Sequence, residues 1–114
     1  MPLRVHFVRE IHQPALAHLL AALQPGVTLT AGTSLPVAPD YEILVAGRPN
    51  REHFTASSAL RALVIPFAGL PSETRALLRD FPHIAVHNLH HNAGAVAEMA
   101  VTLMLAAAKH IVPY

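Results

Sequence analysis

The stretch from Asn92 to Tyr114 reads N-A-G-A-V-A-E-M-A-V-T-L-M-L-A-A-A-K-H-I-V-P-Y, and it constrains the fold more than any other part of the chain. It opens on Asn92, a residue type whose side chain accepts from the first unpaired N–H groups of a helix. Glu98, Thr102, Lys109 and His110 are too few polar residues to paint one face. A helix apolar all round is buried all round: in a large core, against a partner, or in a membrane. A chain of 114 residues has little capacity to enclose such a helix by itself. The expectation is that something outside this polypeptide covers it.

Composition points the same way. Hydrophobic residues make up 53% of the chain and charged residues 13%, against about a quarter charged in ordinary soluble domains. The length suits one domain. A formal charge of +1 and few aromatics give no reason to expect nucleic acid. Without cysteine there is no disulfide framework, thiolate nucleophile or thiolate zinc site. The start, Met1 to His6, has no signal-peptide apolar core, so a cytoplasmic location is expected. Ala93 to Ala108 falls short of the about 20 residues a membrane span needs, and Glu98 sits within it. No membrane association is expected.

Upstream, apolar runs alternate with turn residues. Strands are predicted at Leu3–Val8, Val27–Thr30, Glu42–Ala46, Leu60–Pro66 and Ile84–His87. Helices are predicted at Ala15–Leu23, with Pro14 in its first turn, at Arg51–Ser58, at Glu73–Asp80 and from Asn92 onward. Residues 31 to 40, with Gly32, Pro36 and Pro39, form a loop. Apolar strands alternating with helices imply an α/β fold: a flavodoxin-like, doubly wound, five-stranded parallel sheet covered on both faces and ending in a long apolar helix. Ligands of such sheets sit beyond the carboxyl ends of the strands. That directs attention to Arg9-Glu10, Gly47-Arg48, Phe67 to Leu70 and Asn88 to Asn92.

Several nucleotide sites are excluded. No G-x-G-x-x-G follows a strand and no G-x-x-x-x-G-K-[ST] occurs. The segment Arg9 to Pro14 lacks the small hydroxyl and glycine residues a flavin phosphate wants. Strand three ends in Gly47-Arg48, not in a phosphoacceptor carboxylate. Two strand ends remain. In Phe67-Ala68-Gly69-Leu70, Gly69 allows close backbone approach, and successive N–H groups can hold a carboxylate; a plain strand-to-helix connection is the alternative. Asn92 either presents its amide to a ligand or only caps a helix. His83, His87, His90 and His91 are read as structural or solvent-facing, since adjacent loop histidines point apart and a metal needs a third fixed ligand. Glu98 is either a buried acid or a carboxylate complementing the helix dipole.

Taken together, Phe67-Ala68-Gly69-Leu70, a short strand, then Asn92-Ala93-Gly94-Ala95-Val96-Ala97-Glu98 and an Ala/Leu/Met-rich helix resemble the D-isomer-specific 2-hydroxyacid dehydrogenases, particularly their formate dehydrogenase and glyoxylate/hydroxypyruvate reductase branches. The similarity is clear over residues 60 to 114 and extends to the whole chain by element order. It implies an NAD(P)-dependent oxidoreductase moving hydride between nicotinamide and a small 2-oxo or 2-hydroxy acid. Residues 1–91 would be the first segment of its substrate domain and 92–114 the helix leading to a nucleotide-binding Rossmann domain absent from this chain. The resemblance implies that Ala68, Gly69 and Leu70 hold the substrate carboxylate and that Asn92 contacts substrate. It places Ala68 and Ala100 beside NAD or NADP, and a homodimer interface over residues 93–111.

Two positions depart from the family pattern. Ser72 follows Leu70-Pro71 where Asp-Asn is usual, and Met99 replaces a common histidine; both leave the acid's identity open. None of the nine histidines falls where the family's acid/base histidine would. The chain alone is therefore expected to carry no catalytic residue, to bind no cofactor and to be inactive. The alternative reading is a non-catalytic flavodoxin-like interaction module that dimerises through its terminal helix.

Overall fold

The computed structural model describes residues 2–111; the Met1 part of the leader reading and the Val112–Tyr114 part of the terminal segment lie outside the described residues. Five strands and four helices follow in the order β1 (Leu3–Phe7), α1 (Ala15–Ala22), β2 (Val27–Ala31), β3 (Ile43–Val45), α2 (Arg51–Thr55), β4 (Ala62–Ile65), α3 (Ser72–Leu78), β5 (Ala85–Asn88) and α4 (Ala93–Ala108). All strands pair in parallel in one sheet of order β2-β1-β3-β4-β5. The protein is thus α/β with a five-stranded parallel sheet.

The elements from β1 to β5 arise where the apolar runs predict them, with no end shifted by more than three residues. As expected of residues 31 to 40, a loop and no helix joins β2 to β3: Gly32, Pro36 and Pro39 interrupt that segment and Ala38 takes a positive φ of 53°. Pro14 stands at the N-cap of α1 and not within its first turn. α2 is shorter than expected. Its entry is fixed by a capping box that the sequence reading missed: Asn50 Oδ1 accepts from His53 N–H at 3.2 Å, and His53 Nδ1 accepts from Asn50 N–H at 3.1 Å.

The core lies under the centre of the sheet. Leu44 of β3 and Leu63 and Ile65 of β4 are fully buried, with Tyr41, Phe54, Leu60 and Ile84 around them. Burying side chains of this size yields roughly 1.5–3 kcal/mol each. Within the core lies a polar cluster. Tyr41 donates its hydroxyl to the His53 carbonyl, and Ser57 Oγ donates to the Tyr41 carbonyl at 2.7 Å. His6 stacks on Tyr41 with ring centroids 5.5 Å apart and bonds Thr30 Oγ1 through Nδ1 at 2.8 Å. Burial, then the nearby His53, pushes the His6 imidazole below its ordinary value. Burial does the same to His53, with Glu52 opposing.

Coverage ends at the last strand. Every residue of β5 is exposed, and neither α1 nor α4 contains a buried residue. The expectation of a sheet covered on both faces therefore fails at the β5 edge. α4 projects from the body, and the radius of gyration is 18.2 Å, against about 13 Å for a compact chain of this length. Val96, Met99, Leu103, Met104 and Ile111 are each more than half exposed. No helix among the described residues is long and apolar enough to cross a membrane.

Candidate functional site

Strand β4 delivers the chain to a bend at Pro66–Ala68, beyond its carboxyl end. Two contacts tie this bend to the segment after β5. Leu89 N–H donates to the Phe67 carbonyl at 3.2 Å, and Asn88 Nδ2 donates to the Ala68 carbonyl at 2.6 Å. The same Asn88 amide lies 3.3 Å from His90 Nε2. The Ala68 carbonyl is thereby occupied. The N–H groups of Ala68, Gly69 and Leu70 donate to no acceptor among the described residues, and Ala68 and Gly69 are exposed. Successive unpaired N–H groups are what a carboxylate needs.

Across from the bend, α4 begins. Asn92 is its N-cap residue, yet its side chain makes no cap hydrogen bond. The expected capping is therefore corrected. With φ −100° and ψ 7° the residue is not extended, as a side-chain cap requires. Its side chain instead lines an apolar depression of about 500 Å³ together with Ala68, His90, Val96, Ala97 and Ala100. Ala68, Asn92 and Ala100, far apart in sequence, thus share one concavity. Gly69 and Leu70 do not line it. Leu70 packs against the core instead.

Glycine plays a different part from the one expected. A Cβ at Gly69 would meet no atom within 4 Å, and its φ is not positive, so the fold does not itself require glycine there. The glycine that packing does require is Gly47, after β3: a Cβ there would come within 2.3 Å of the Phe67 ring. Phe67 lies across Gly47 and so helps place the bend. Thr74 Oγ1 donates to the Gly47 carbonyl at 2.9 Å, and Arg48 pairs with Glu73 at 2.8 Å. Its own backbone N–H, then Arg48, holds the Glu73 carboxyl below its ordinary value. Asn88, Gly47 and Phe67 all lie at strand ends to which the sequence directs attention, but their roles rest on long-range contacts that leave no local pattern.

Glu98 fits neither expected role. It is exposed, and α4 has no acidic residue in its first turn, because Glu98 lies a turn further along. His83, His87, His90 and His91 are all exposed. Among the described residues, no group of three or more histidine or carboxylate side chains is placed to hold a metal ion. Arg9 and Glu10 line a separate cavity beyond β1. Comparison with protein-family models, with curated proteins and with solved structures returns no match to this chain.

Proposed function

We propose that this chain is the substrate-domain segment of an NAD(P)-dependent 2-hydroxyacid dehydrogenase, with the depression between the β4 bend and α4 as part of its substrate site. The observation that carries the reading is that Ala68, Asn92 and Ala100 line one concavity, and that the N–H groups of Ala68 and the following Gly69 and Leu70 find no acceptor among the described residues. In this reading the N–H groups of Ala68, Gly69 and Leu70 hold the carboxylate of a small 2-oxo acid, and the uncapped Asn92 amide orients it. Ala68 and Ala100 have no side chain beyond Cβ, which leaves room for a nicotinamide ring. The hydride chemistry belongs to the cofactor, held by a nucleotide-binding domain outside residues 1–114. The sheet order β2-β1-β3-β4-β5 supports the flavodoxin-like assignment.

The alternative, a non-catalytic module dimerising through residues 93–111, draws on the unburied apolar surface of α4. The two readings share that homodimer and separate at the depression. Titrating the isotopically labelled chain with glyoxylate discriminates them. Saturable amide shifts at Ala68, Gly69 and Leu70, abolished by Gly69→Val, are expected for the substrate domain. Unmoved amides with an intact dimer favour the interaction module. The chain alone is expected not to oxidise NADH with glyoxylate; turnover would contradict the assignment of catalysis to another domain.

A further inference from the structure

We propose that the cavity beyond β1 is a second binding site, for a small organic molecule bearing an oxyanion, with Arg9 as its anchoring cation. The cavity measures about 540 Å³, within the range of small-molecule sites. Its position has a topological basis. β1 lies between β2 and β3, and the chain passes from β1 to β2 on one side and returns past β1 to β3 on the other. The carboxyl end of β1 is therefore where strand order reverses, which is where open parallel sheets form a crevice.

The lining supplies the chemistry. Phe7, Ile11 and Leu19 form apolar walls, while Arg9, His12 and Gln13 bring polar groups. Arg4, Arg48, Arg51 and Arg61 each pair with a carboxylate, whereas Arg9, like Arg75 and Arg79, has none within 4 Å among the described residues, and of these three only Arg9 lines this cavity. Glu10 also lines the cavity, with no carboxylate oxygen within 4 Å of the Arg9 guanidinium. Its Oε1 lies 3.8 Å from where a Gly32 Cβ would stand, on the side of the segment after β2. Gln13 Oε1 accepts from Ala17 N–H at 3.3 Å, so the two Nε2 donors remain for a ligand. A cation with donors beside it and low-dielectric walls around it concentrates an anion. The shared chemistry is an oxyanion on a small apolar body, either a carboxylate or a phosphate.

Titration of the labelled full chain with inorganic phosphate and, separately, with butyrate tests this. Saturable shifts at the Arg9 Nε–H, the Gln13 side-chain amide and the Ile11 amide are expected with at least one probe; the probe that saturates identifies the anion's class. Arg9→Met should weaken that binding at least tenfold, and Glu10→Gln should tighten it. Because Arg9 is exposed and unpaired, the Arg9→Met unfolding midpoint should match that of wild type, which excludes misfolding as the cause. Two results would overturn the proposal: no saturable shift with either probe, or shifts that persist in Arg9→Met. Butyrate shifts confined to Ala68, Gly69 and Leu70 would likewise count against it, and would speak for the β4 site alone.

Discussion

The centre of the sheet and its β5–α4 limb are built from equally apolar sequence and end in opposite surroundings. At Leu44, Leu63 and Ile65 the apolar side chains are sealed between neighbouring strands and the packed Tyr41, Phe54 and Ile84. Along α4, residues as large as Met99, Leu103 and Met104 stand more than half exposed. Composition alone does not assign a segment to the core; what decides is whether other elements close over it. The limb's apolar surface is contiguous along one helix, and soluble monomers rarely tolerate such a patch. The contrast is thus one between a part stabilised within the chain and a part left uncovered among the described residues.

Truncation breaks or sharpens this contrast most strongly. Leu63→Ala or Leu44→Ala should cost about 2–5 kcal/mol in urea unfolding, through lost transfer energy and the cavity left behind. Leu103→Ala, identical in chemistry, should change the unfolding of the isolated protomer by no more than about 0.5 kcal/mol. Equal losses at the two sites would erase the distinction.

Acid should act on the centre alone. His6 and His53 are held neutral by burial, so their folded values lie below 6.5. As pH falls below about 6.5, the unfolded chain takes up protons that the folded chain refuses. Their contribution to stability is fully present above that pH and declines through the window beneath it. Urea midpoints measured from pH 7.5 to 5.5 should fall, and His6→Phe should flatten the fall. An unchanged slope in His6→Phe would remove His6 as a cause.

Where the two regions meet, the effects are smaller. Gly47→Ala drives a Cβ into the Phe67 ring, which must swing away from the bend, at about 1 kcal/mol. Gly69→Ala should leave stability unchanged, since its Cβ meets open space. Asn92→Ala should cost less than the about 1 kcal/mol of a true cap, because its side chain makes no cap bond. Thermal unfolding should rank the costs Gly47→Ala first, Asn92→Ala second and Gly69→Ala last, the last unchanged from wild type.

The sequence made much of the fold legible and little of the site's support. Strands β1 to β5 lie where short apolar runs stand between Pro, Gly and polar residues, because period and punctuation are local signals. The helix expected from Asn92 onward, over residues 92–114, forms over Ala93–Ala108 and gives way to a turn at Lys109 and His110. The joining of Ala68, Asn92 and Ala100 in one concavity required parallel pairing of β4 with β5, which the alternation of elements implied. What could not be read was tertiary. Asn88 clamps the Ala68 carbonyl across twenty residues, and Gly47 makes room for a ring twenty residues on. Neither leaves a pattern in its own neighbourhood. Asn92 misled in the opposite way: its residue type is a good cap, but the turn before α4 holds its backbone out of the capping conformation.

The apolar face of α4 offers the most direct test, by sedimentation equilibrium of the full chain at low micromolar concentration. We expect a homodimer of cyclic twofold symmetry, shifted toward monomer or insolubility by Met104→Glu. A wild-type chain that sediments as a well-behaved monomer, with α4 amides protected from exchange, would contradict the claim that this helix is completed by a second molecule.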